Sequence, residues 1–177
     1  MTSTWVSVLA SYLHLLAVAV YLGGSVAMEF VLGPAQKFIP PAQAQVMGQK
    51  SADRFLALVW GSLALFPISG MLLLFSTSNQ SNVSGDKFFT TTYGRTLFGM
   101  IFLWCVLVVN GLIITFVLRP RLNQKASGKG GGSNVSANLE RAGKAARWVS
   151  IITRIDLGVA VFIVLLGASM AYGNGLI

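Results

Sequence analysis

Apolar residues gather along the chain into four long stretches, each nearly free of charge, and the shorter segments between them hold almost all of the Lys and Arg. The first runs from about Thr4 to Gly33 with Glu29 near its end, the second from Phe55 to Phe75, and the third from Thr96 to Leu118. The fourth runs from about Ala146 to Gly173, its charges confined to the first half. About 20 apolar residues, each rising 1.5 Å along a helix, cross the hydrocarbon core of a bilayer. Lipid offers backbone amides no partner, so each stretch must satisfy its own hydrogen bonds as a helix. The pattern predicts an all-α fold, a four-helix transmembrane bundle forming a single domain over 1–177, with helices at about 4–33, 55–75, 96–118 and 146–173. Pro34, Pro40 and Pro41 are expected to end the first helix, and Pro120 the third, while Pro67 and Gly70 inside the second predict a kink. Met1 to Thr4 carries no positive side chain, and the following run exceeds the roughly 7 to 15 residues of a signal-peptide core, so the first helix is expected to be retained.

Composition agrees with this pattern. Of the 177 residues 54% are hydrophobic and only 10% charged, with mean hydropathy +0.70, against roughly 25% charged residues in a soluble domain. The net charge of +8 could suggest nucleic acid, but basic residues confined to short loops between apolar runs are what membrane insertion demands, so nucleic-acid binding is set aside. Lys37, Lys50 and Arg54 follow the first helix, and Arg119, Arg121, Lys125, Lys129, Arg141, Lys144 and Arg147 follow the third; only Lys87 and Arg95 lie on the other side. Ten against two predicts a multi-pass protein of the plasma membrane with loops 34–54 and 119–147 cytoplasmic and both termini outside. The glycines at 128 and 130–132, set among Ser and Asn, predict a flexible inner loop over about 122–140, whose flanking cations would meet anionic lipid heads. Asn79-Gln80-Ser81 and Asn82-Val83-Ser84 fit the glycosylation acceptor pattern, which is too short to carry weight. Cys105, the one cysteine, lies in an apolar run and has no disulfide partner.

A charge inside a membrane helix costs about 2.5 to 3.5 kcal/mol on insertion scales, so each retained polar residue should pair or work. Glu29 near the inner end of the first helix and Arg154 about two turns into the fourth have matching depths, which predicts an ion pair; otherwise Arg154 snorkels to the headgroups and Asp156 faces its own helix end. Asn110, midway along the third helix, should find an acceptor on a neighbour. His14, the only histidine, lies about ten residues into the first helix; Tyr21, Ser25 and Met28 share its face and Ala10, Ser11 and Ala17 flank it, so this face should turn inward. In the topology above, Met71, Met100 and Met170 share the outer half of the bilayer with His14. Imidazole and thioether together suit Cu(I), and a His and a Met on opposite faces suit haem iron. The bland alternative stays open: methionine fills gaps in apolar cores, and a lone buried histidine is often simply hydrogen-bonded. No nucleophile elbow, phosphate loop, His-Glu zinc pair or Cys-x-x-Cys motif is present, so no catalytic activity of the chain's own is expected.

The run Leu13-His14-Leu15-Leu16 through Tyr21-Leu22-Gly23-Gly24, with Gly94-Arg95 opening the third helix and Asn110 followed by Arg119-Pro120-Arg121 closing it, resembles the CopD-like superfamily. That group gathers copper-resistance membrane proteins, related four-helix proteins and, more distantly, HemJ-type protoporphyrinogen oxidases. The resemblance implies a four-helix unit in which His14 faces an internal copper or haem b site. The chain departs from the pattern in having Tyr21 where Trp is usual, no basic residue around Gly99 and Met100, and no second histidine in the first helix. With one histidine, haem ligation within one chain is limited to His/Met. Two functions follow as expectations. In one, His14 with Met71, Met100 or Met170 holds a soft metal in the outer half and passes it on. In the other, the chain is a non-catalytic accessory subunit of a larger membrane oxidoreductase complex, with Gly158, Ala160, Gly167, Ala168 and Ala171 packing between subunits, or equally within the chain's own bundle; an accessory subunit should migrate with fixed partners and a metal-passing unit alone or as a homo-oligomer.

Overall fold

A backbone solvated by lipid has one local solution, the helix, and the chain takes it for each of its apolar runs. The computed structural model describes residues 4–76, 83–120 and 133–171. Four long helices dominate them: α1 (Thr4–Val26), α2 (Pro41–Ser76), α3 (Thr92–Leu112) and α4 (Ser133–Ala171). Each is apolar for long enough to cross a membrane, and no strand occurs among the described residues. α1 packs on α2, α2 on α3 and α3 on α4, and α4 returns to α1, closing a ring of four. Tyr21, Val59, Leu63, Leu107 and Ala160 form the buried centre. Large apolar side chains including Leu15, Phe30, Phe102, Phe116 and Phe162 turn outward, a surface that water would penalise and acyl chains solvate. α1 meets α2 tightly at Gly24, where a Cβ would stand 2.8 Å from the Phe55 ring. Any side chain there would force the Phe55 ring to move.

Three boundaries differ from the hydropathy pattern. The first helix passes Pro34: a π-helical turn over Ala27–Leu32 precedes it, with the Gly33 N–H donating to the Met28 carbonyl five residues back, and helical turns continue through Phe38. The wide turn moves the backbone out of register just where the proline would clash with the carbonyl four residues earlier, so the helix continues. The break falls instead at Ile39, extended as a residue before proline tends to be, and α2 starts at Pro41, not near Phe55. The fourth helix begins at Ser133 rather than near Ala146. Residues 133–140 of the expected flexible loop are therefore helical, and its remainder lies outside the described residues. Both extensions have one cause. At 36 and 39 residues, α2 and α4 are about 54 and 58 Å long, more than a hydrocarbon core of roughly 30 Å takes up; the polar stretches 41–54 and 133–147 make up the excess, where hydropathy has nothing to detect.

The third helix has the same device as the first. A π-helical turn over Ile113–Leu118 precedes Pro120, and the Arg119 N–H donates to the Ile114 carbonyl, again five residues back. α3 itself opens at Thr92, where the Thr91 hydroxyl accepts from the Gly94 N–H at 3.1 Å. α2 is continuous through Pro67. Proline has no N–H for the Leu63 carbonyl four residues earlier, and the Trp104 indole from α3 donates to that carbonyl at 3.0 Å. The acceptor freed by one helix thus ties it to the next.

Candidate functional site

Ala10, Ala17, Tyr21 and Ser25 are all buried, so one face of α1 looks into the bundle, and half-buried His14 stands on it. The spacing of small residues at 10 and 17 lets α2 come close enough for a side-chain contact. His14 Nδ1 lies 2.9 Å from the hydroxyl of fully buried Ser69, and the ring meets Phe66 edge-on with centroids 5.6 Å apart. Gly70 completes the wall, where a Cβ would stand 3.8 Å from the imidazole.

Hydrogen counting sets the tautomer. Ser69 Oγ lies 2.6 Å from the Leu65 carbonyl and 3.2 Å from that of Phe66. With its single hydrogen on the closer of those acceptors, Leu65, the hydroxyl accepts from His14. In that assignment Nδ1 carries the proton and donates, and Nε2 is the ring nitrogen that keeps its lone pair. This is the arrangement in which a second nitrogen, held by a hydrogen bond, fixes the ring for a ligand at the first.

The three methionines do not close around that nitrogen. Met71 is 62% exposed and projects from the bundle, and Met100 packs across to α4, its Cε 3.7 Å from where a Cβ on Gly167 would be. Met170 is half-buried on α4. His14, by contrast, turns toward α2. Among the described residues no three His, Cys, Asp or Glu side chains come together. Cys105 is exposed on the outside of α3.

Toward the basic end of the bundle the remaining polar residues meet in pairs. Asn110 Nδ2 donates to Asp156 Oδ1 at 2.6 Å, linking α3 to α4 around a carboxyl that is only 8% exposed. Trp60 Nε1 donates to Thr115 at 3.2 Å, linking α2 to the second π-helical turn. Arg154 Nε donates to Glu29 Oε1 at 2.7 Å, linking α4 to the first π-helical turn. Asp53 on α2 pairs with Arg119, which directly follows the second. With His14 to Ser69 between α1 and α2, every interface around the ring has at least one polar tie. Ser69, Phe66 and the Asp53 to Arg119 pair are not visible in the sequence pattern, since Ser reads there as a small filler and Asp53 as a loop charge. Pro67 is the one signal available: its missing N–H calls for a donor at Leu63.

The family model for copper resistance protein D matches residues 49–170. No curated protein and no solved structure matches the chain.

Proposed function

Since the chain belongs to the copper resistance protein D family, we propose that it handles copper as cargo within the membrane, and that His14 is the residue that takes the ion. The tautomer of His14 carries this reading. With Nδ1 donating to Ser69 and Ser69 in turn committed to Leu65, Nε2 is held as a neutral nitrogen donor, the form that binds Cu(I). Met100 and Met170, set apart from His14, would offer separate thioether holds, the soft partner that selects Cu(I) over harder cations. A cargo ion must leave as well as enter, and transfer is best served by several weak holds. One nitrogen with thioethers on separate faces suits passage better than storage. The basic end faces the cytoplasm in this account, so His14 lies in the outer half and meets copper arriving from outside.

Replacing His14 by Ala and measuring copper and haem in protein purified from copper-fed cells tests the proposal. The variant should lose most of its copper while keeping its helical content, and neither protein should contain haem. Unchanged copper in the variant rejects the role of His14, and haem lost together with His14 rejects the cargo.

A further inference from the structure

Where α1 and α4 meet near the basic end, an open groove is lined by Glu29, Phe30, Arg154, Leu157, Gly158 and Val161. Its α4 side is one helix face, since positions 154, 157, 158 and 161 follow the three- and four-residue spacing of neighbours on a helix. Phe30 is 65% and Val161 44% exposed, and a Cβ on Gly158 would meet nothing within 4 Å. The groove therefore opens to the bilayer. At its head Arg154 uses only Nε on Glu29, its side chain is 69% exposed, and its two terminal nitrogens have no hydrogen-bond partner among the described residues. Arg154 lies seven residues into the span that begins at Arg147, about 10 Å along the helix, within reach of the headgroup level for a long side chain.

We propose that this groove binds one membrane phospholipid, its phosphate against the terminal nitrogens of Arg154 and an acyl chain along Phe30, Leu157, Gly158 and Val161. A guanidinium fork fits two phosphate oxygens at once, and the apolar floor below it continues in the direction an acyl chain takes. Charge complementarity selects lipid over a second copy of the chain. Within the described spans the other acids are Asp53, paired with Arg119, and Asp156, buried under Asn110. A second copy therefore brings no free anion to this depth, and every phospholipid does. The site is independent of His14, which lies 15 residues before Glu29, about 20 Å away along α1 and the π-helical turn that continues it.

Native mass spectrometry of protein released from nanodiscs of phosphatidylethanolamine and phosphatidylglycerol tests the proposal. The wild type should retain one phospholipid per chain after mild activation. Gly158→Leu puts a side chain into the groove at a position where a Cβ meets nothing within 4 Å, and Arg154→Gln removes the charge; each should reduce the retained lipid at least about tenfold. Lys87→Gln at the opposite end should retain it fully. Should Arg154→Gln fail to assemble, Gly158→Leu decides alone. A wild type that emerges without lipid, or a Gly158→Leu protein that keeps as much as the wild type, overturns the proposal.

Discussion

Trp104→Phe removes the indole donor from the Leu63 carbonyl while keeping an aromatic ring in the core. Leu63 is 1% exposed and Pro67 has no N–H to offer it, so in the variant this carbonyl has neither helix, neighbour nor water as a partner. A buried polar group left bare costs about 1 to 3 kcal/mol, and interhelical hydrogen bonds measured in a membrane bundle average about 0.6 and reach about 1.7 kcal/mol. The ring is also smaller, and that packing loss confuses a single substitution. Pro67→Ala separates the two effects. An alanine at 67 returns the helical N–H to Leu63, so the indole becomes a second donor rather than the only one. Trp104→Phe should then cost about 1 kcal/mol less in the Pro67→Ala background than in the native one, a factor of about five in the folded ratio. Unfolding from mild detergent into dodecyl sulfate, followed by circular dichroism, measures all four corners of this cycle. Equal cost in both backgrounds would refute the claim that Pro67 and Trp104 act through one carbonyl.

Ser69→Ala leaves His14 in place but removes the acceptor of its Nδ1 proton, so affinity for Cu(I) should fall about 10- to 100-fold in a titration against a chromophoric Cu(I) chelator; an unchanged affinity means that the serine does not orient the ring. Glu29→Arg and Arg154→Glu should each lower the unfolding free energy slightly, by up to about 1 kcal/mol because the arginine is largely exposed. The double exchange should recover the loss, and a double variant no better than the singles rejects the pairing.

The sequence pattern located what lipid itself selects. Four spans, the inward face around His14 and the matched depths of Glu29 and Arg154 all follow from the cost of placing polar groups in hydrocarbon, which is visible residue by residue. The copper-resistance resemblance held as well, over residues 49–170. Hydropathy is silent where water returns, so the helical stretches from Pro41 and from Ser133 that stand outside the bilayer were not legible. Pro34 reads as a terminator because its effect depends on the turn before it, and a π-helical turn is a backbone adjustment without a residue signature. Ser69 escaped notice for a different reason: a hydroxyl in a membrane helix usually bonds its own backbone, as Ser69 does to Leu65, and only the placement of α1 reveals that it also receives His14.

The most direct test uses the fact that the chain has a single histidine. In protein labelled with nitrogen-15 at histidine, the spectrum contains one imidazole pair, and both its protonation and its response to metal can be read without ambiguity. The proton should reside on Nδ1, Nε2 should resonate as a bare nitrogen, and adding Cu(I) should move the Nε2 signal far more than the other. A proton found on Nε2, or two signals indifferent to Cu(I), would contradict the assignment of His14 as the copper ligand.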